Sequence, residues 1–430
     1  MKKQFLEEKI LPKMMSFASW DPIIAIKNGF VSTMAITIVG SIFLLIASFP
    51  IISIQDWLNK IGLRVILLQA FNATFNILAL VAALSIAYYY AKNKKVDALP
   101  CAILSLVSYV LLIDFIKIAP ESKEVIKGVI PLTYLGARGM IVSIIIGLFT
   151  GKIYTWFILH NIKIKMPDTV PEGVANSFAA VIPGAFIITT MTIIYGIFSS
   201  LDTNFIDFIY NIIQTPLQGM TSSLGGVILI AFFMSFLWWF GIHGASIVGG
   251  IMAGILTANM NENQAIIEAG KVLNSTTGHI VTFNFRTLIL IITGSGITIG
   301  IVLYFLFFAK SEQFKSLGKL AVIPAIFNIN EPILFGTPIV FNTLLFIPFI
   351  GVPIVSGVVS YFAMDLGIVP LMGAINPPWT TPPIISGFLA GGYRLAILQL
   401  VIILISFFGY FPFIRRQDMI AYEEEQKVKE

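Results

Sequence analysis

Residues Val322 to Pro338 read VIPAIFNINEPILFGTP. A hydrophobic run is broken there by Asn328, Asn330, Glu331, three prolines and Gly336. A carboxylate flanked by hydrocarbon on both sides is costly to keep in lipid and marks a functional site by default. Prolines and a glycine around it argue against one straight helix. Broken backbone at membrane depth survives only where protein buries it or water lines it. Transporters build midplane binding sites from such interruptions. The stretch therefore predicts a polar solute pathway with Glu331 inside it.

The rest of the chain agrees. Its 430 residues are 57% hydrophobic and 11% charged, with a mean hydropathy of +0.91. Soluble chains carry about 25% charged residues. Long apolar runs recur between short polar clusters, which predicts an all-α membrane bundle. A β-barrel would alternate over segments of about 10 residues. At about 20 residues per span there is room for roughly eight to ten. The net charge of +5 comes from short basic clusters between spans, a positive-inside pattern rather than a nucleic-acid surface. The single Cys101 excludes an internal disulfide and a cysteine-based metal site. His160, His243 and His279 lack metal-ligand spacing. No metal and no cofactor are expected. A charged first turn, a long first apolar run and no A-x-A site argue against a cleaved signal peptide.

In order, residues 1–27 read as a cytoplasmic amphipathic segment on the membrane surface. Spans are expected at about 29–54, 65–90, 101–118, 140–159 and 179–198. Residues 201–218 read as a helix along the external interface, with Phe205, Phe208, Ile209, Ile212 and Ile213 on one face, and as the seam between two halves, 28–218 and 219–414. Apolar runs follow at 227–256 and 288–308, with a loop or short hairpin at 259–278. After the Glu331 stretch come a span at 341–363, a second broken region INPPWTTPPIISG (375–387) and a last span at 395–413. Arg415 and Arg416 open a cytoplasmic tail, 415–430. No internal repeat is visible.

Glu331 suits a hydrogen-bond acceptor for a polar solute; the bland alternative is a salt bridge to Arg286 or Arg394. Asn328 and Asn330 each offer two donors and an acceptor, and one carboxylate among amides favours a neutral sugar over a divalent cation. His243 lies in WWFGIHGAS, where glycines permit close approach of a ligand, although a core histidine bonded to a carbonyl fits equally. Trp379 in NPPWTTPP is held by four prolines and suits stacking on a pyranose, against the alternative of an interfacial anchor; Asn376 is a weaker candidate. Trp20, Trp57 and Trp156 read as interface anchors. Arg138, Arg286 and Arg394 read as snorkelling or pairing charges at span ends, with an anion site as the alternative if they converge. Asp168 and Glu172 read as solvated turn residues.

Through NEPILFG, GIHG, MPDTVPEGV and NPPWTTPP the chain resembles the membrane permease (IIC) component of the bacterial sugar phosphotransferase system, in the lactose, cellobiose and diacetylchitobiose group. The resemblance covers nearly the whole chain. It implies ten transmembrane helices, two re-entrant hairpins, cytoplasmic termini in the bacterial plasma membrane, a homodimer contact in the first half and a sugar site in the second. It further implies that Glu331 and His243 bind a β-linked disaccharide near the hydroxyl to be phosphorylated, and that Trp379 stacks on the sugar. The phosphoryl group would come from a phosphocysteine on a cytosolic IIB subunit, charged by IIA and the phosphocarrier protein. Cys101, in an apolar run, is not that carrier. Glu331 would act as base or orienter. Glu172 departs from the neutral residue expected in many relatives. Two other readings compete: a proton-coupled sugar symporter using Glu331 and His243, and an intramembrane acyltransferase or protease, for which the motifs are missing.

Overall fold

The computed structural model describes residues 12, 16, 19–48, 52–118, 124–167, 169–337 and 339–429. The surface segment expected at 1–27 and Asp168 thus lie wholly or mostly outside the described residues.

Among those residues, six helices are long and apolar enough to cross a membrane, or seven if a pair bent by 78° (Phe205–Thr221 and Leu224–Trp239) counts as one span. Each contains an apolar spanning window, and only 28–50% of each window is buried, so the outward side chains of those windows belong against lipid. This count falls below the expected eight to ten because other apolar runs are short or interrupted. Ala98–Leu111 has 14 residues. The run expected at 288–308 splits into Phe283–Leu290 and Ile299–Phe307 around irregular backbone. The loop or short hairpin expected at 259–278 is helix in its first half, since Gly244–Glu268 continues unbroken, and irregular after it.

The chain forms two compact units. The first comprises residues up to Gly40, Gln69–Gly219 and Gly250–Asn261. Its helices pack through glycines. An ideal Cβ on Gly147 would lie 2.8 Å from Ile86 Cβ, and one on Gly29 2.5 Å from Ile86 Cγ1, so small residues let the backbones close on Ile86 from two sides. Ser105 Oγ donates to Ala83 O at 2.8 Å. The polar loop after Ala98–Leu111 carries a two-stranded hairpin, Ile116–Ile118 with Val125–Lys127. In Phe205–Thr221 the buried residues are Ile206, Ile209, Gln214, Gln218 and Thr221, while Phe208 and Ile212 are exposed. Gln214 is inside because its Nε2 donates to Ala137 O at 3.0 Å.

The second unit comprises Ser41–Leu68, Met220–Gly249 and Glu262 onward. Leu224–Trp239, Ile299–Phe307, Glu312–Ile326, Thr343–Asp365 and Ile385–Lys429 are its principal helices. Gly300 lies against the backbone at Ser406, and Gly318 against Phe305. The C-terminal helix also caps another: buried Asp418 accepts from Lys310 N (2.8 Å) and Ser311 N (3.0 Å), and Glu425 from Glu312 N and Gln313 N. The orphan amides at the start of Glu312–Ile326 are satisfied that way.

Candidate solute-binding site

Both broken regions fall in the second unit, and both double back. Glu312–Ile326 contains Pro324, which cannot continue the hydrogen-bond ladder. Phe327 N and Ile329 N return to Pro324 O, and Asn328 takes a left-handed conformation, φ +62. The short helix Glu331–Gly336 then folds onto its predecessor, so that a Cβ on Gly336 would lie 2.5 Å from Leu317 Cδ1. In the second region, Gln399 Oε1 accepts from Ile384 N (2.6 Å) and Gly387 N (2.9 Å). In a straight helix, Gly387 and Gln399 would stand about 18 Å apart. The reversal occurs at Gly391–Gly392, where Gly392 has φ +72 and ψ −168.

Such backbone needs partners where no water reaches, and here amide side chains supply them. Asn328 Nδ2 donates to Trp379 O (2.6 Å) and Thr381 O (2.9 Å), while its Oδ1 accepts from Thr293 N (2.7 Å). One residue thereby ties both broken regions to the irregular 291–298 segment. Asn330, 4% exposed, donates to Ser295 O and Thr298 Oγ1 and lies against Gly294, where a Cβ would be 2.2 Å from its Cγ. Asn284 donates to Gly373 O and Ile375 O, and Gln264 accepts from Ala374 N. Asn342 Oδ1 caps Thr343–Asp365, and its carbonyl accepts from Trp239 Nε1 at 2.9 Å. Phe341 N donates to Trp239 O, which attaches the turn carrying His243.

His243 is the N-cap of Gly244–Glu268, its Nδ1 accepting from Ser246 N at 3.1 Å. A ring nitrogen that accepts from an amide is unprotonated, so in the neutral ring Nε2 carries the proton. The imidazole is exposed and lies 4.5 Å from the Trp238 ring. Gly244 is required, because a Cβ there would be 2.0 Å from Met234 O. Glu331 is exposed in the first turn of its helix. No ion pair with Arg286 or Arg394 forms among the described residues. Trp379 is 53% exposed. Asn376 is buried, and its carbonyl accepts from Ser41 Oγ at 2.7 Å. Arg286, expected to snorkel or to pair, is 8% exposed, which sets snorkelling aside.

The segments bearing His243, Glu331 and Trp379 are thus bound into one backbone framework, with those three side chains exposed and Asn328, Asn330 and the Asn376 carbonyl holding it. Sequence reading passed over Gln264, Asn284, Asn342 and Gln399. Each is an amide in or beside an apolar run, and that placement was the available signal.

The fold and this framework define a multi-pass membrane permease. Residues 27–353 match the family model described as Phosphotransferase system, EIIC. The chain is 39% identical to the PTS system cellobiose-specific EIIC component of Geobacillus stearothermophilus, over 98% of this chain and 96% of that protein. It is 38% identical to the lichenan permease IIC component of Bacillus subtilis (strain 168), over 99% and 96%. The crystal structure of the transporter ChbC, the IIC component from the N,N'-diacetylchitobiose-specific phosphotransferase system, superposes with a TM-score of 0.93 at 39% identity, over 98% of this chain and 99% of that one. The chain belongs to the phosphotransferase system EIIC family, the sugar permeases that work with IIA and IIB partners.

Proposed function

We propose that this permease binds a β-linked disaccharide of the cellobiose, diacetylchitobiose or lactose type and presents it to a cytosolic phosphocysteine IIB subunit. The observation that carries this is the junction at Asn328, which fixes the turn before Glu331 against the backbone of Trp379. In this reading Glu331 accepts from sugar hydroxyls, His243 donates through Nε2, and Trp379 offers its exposed ring to the C–H face of the sugar. Asn328, Asn330 and Asn376 act behind them as braces. The two doubled-back regions are re-entrant hairpins within a ten-helix arrangement, both termini are cytoplasmic, and residues 28–218 hold the homodimer contact. Phosphoryl transfer forms an O–P bond to the sugar hydroxyl and breaks the S–P bond of IIB. Glu331 orients that hydroxyl and takes its proton.

The test is uptake of a panel of radiolabelled β-disaccharides into vesicles, with and without phosphorylated IIB on the cytoplasmic face. Sugar phosphate should accumulate only with IIB. Unmodified sugar accumulating under a proton gradient without IIB would overturn the reading in favour of a symporter. Glu331→Gln should abolish phosphorylation yet leave measurable sugar binding; equal loss of both would make Glu331 a ligand only.

A further inference from the structure

Arg286 carries a charge that the site as described does not use. It lies in the helical segment Arg286–Leu290, is 8% exposed, and joins none of the four ion pairs among the described residues. Its Nε is sealed without a hydrogen-bond partner. The guanidinium sits 4.9 Å from the Phe283 ring centroid and presses on Gly249, where an ideal Cβ would be 2.4 Å from Nη1. Ring contact supports a guanidinium but does not neutralise it. An intramembrane arginine without a carboxylate is costly and is kept for a function.

Its position ties it to the sugar site. Gly249 is six residues beyond His243, about 9 Å along the same helix. Asn284, two residues before Arg286, holds the carbonyls of Gly373 and Ile375, just ahead of Asn376 and Trp379. The segment after Arg286 enters the loop in which Thr293, Ser295 and Thr298 bind Asn328 and Asn330. Both broken regions are thus bonded to residues flanking the element that bears this cation, and the helix that begins at His243 lies against the guanidinium at Gly249. Glu331 adds the opposite problem: an open carboxylate repels an incoming phosphoryl group, and a fixed cation offsets that repulsion.

We propose that the Arg286 guanidinium, held by Gly249 and Phe283, is an anion-binding group of the sugar site that receives a phosphoryl oxygen during transfer and in the sugar-phosphate product. The inference rests on the sugar-permease reading above. Guanidinium geometry matches phosphate oxygens, and neutral sugar needs no such charge.

The test measures binding of cellobiose and of cellobiose 6-phosphate to the purified full-length protein. Arg286→Gln should leave cellobiose affinity within about twofold and weaken cellobiose 6-phosphate at least tenfold. Arg286→Lys should recover part of the loss. Gly249→Ala keeps the charge but displaces it, and should show the same selective loss; it carries the test if Arg286→Gln does not fold. Equal weakening of both ligands in a folded variant overturns the proposal and makes Arg286 a contact for neutral sugar. No change in either ligand overturns it as well. Wild-type protein that binds cellobiose but not cellobiose 6-phosphate sinks this inference alone. Wild-type protein that binds no β-disaccharide in the panel sinks the permease reading with it.

Discussion

Asn328 does three jobs that no other residue type combines. It adopts φ +62, it donates twice, and it accepts once. Asparagine is the non-glycine residue best suited to that conformation. Asn328→Gly keeps the backbone and loses the bonds; Asn328→Ala loses both. The buried Thr293 amide, left without its acceptor, costs about 1–3 kcal/mol, and the more exposed carbonyls of Trp379 and Thr381 cost less. Thermal unfolding should therefore rank wild type above Asn328→Gly and Asn328→Ala lowest, with sugar affinity falling in both variants. Glycine equal to wild type would show the bonds to be idle. The sequence announced this residue and Glu331, because polar groups stand out in hydrocarbon. It did not announce their difference in role. Which amide is spent on backbone and which side chain stays open depends on the return of chain 51 residues later, at Trp379. Arg286 shows the same limit: nearness to a span end allows snorkelling, pairing or an anion site, and only its packing against Gly249 shows it to be buried.

At the level of elements, breaks were legible and their continuation was not. Pro324, Pro332 and the prolines around Trp379 marked both interruptions. That each folds back requires Leu317 against Gly336, and Gln399 reaching Gly387. The second reversal makes a sharp prediction. Gly392 has nothing within 4 Å of an added Cβ, yet its φ of +72 with ψ −168 suits glycine alone. Gly392→Ala should cost about 1–3 kcal/mol from backbone strain, read as a lower unfolding temperature. Gly391→Ala should cost less, since it meets only the flexible end and Cβ of Leu395. A different device joins two helix ends in the first unit. Lys94, after Leu78–Asn93, pairs with Asp21 at the start of Asp21–Ala47. The bond to Asp21 raises the Lys94 pKa above the ordinary lysine value of 10.5. A raised lysine pKa means the pair stabilises fully below that value and is lost as pH climbs through the folded one. The wild-type advantage over Lys94→Met, at most about 1 kcal/mol for so exposed a pair, should be flat from neutral pH upward and vanish only in strong alkali. An advantage that disappears near neutrality would assign it to another group.

For the whole molecule, composition settled the solvent before any element was drawn: 57% hydrophobic and 11% charged residues leave lipid as the surroundings. It could not settle how many segments span, because a broken helix and a straight one have the same hydropathy. The two units likewise draw on discontinuous stretches, with Ser41–Leu68 joining the unit that carries the candidate site. Binding gives this division a measurable consequence. A ligand that binds only the folded site stabilises it by RT ln(1 + [L]/Kd), about 2.7 kcal/mol at a hundredfold excess over Kd. Unfolding of a chain with two compact units need not be two-state, so that energy belongs to the transition of the unit containing Glu331 and Trp379. In a panel of disaccharides, a β-linked substrate should raise that transition and leave any separate transition of the other unit in place. Trp379→Ala should abolish the shift without lowering the unliganded midpoint, since its side chain is half exposed and the brace runs through its carbonyl. A shift that survives Trp379→Ala would remove the ring from the site and leave the sugar to Glu331 and His243.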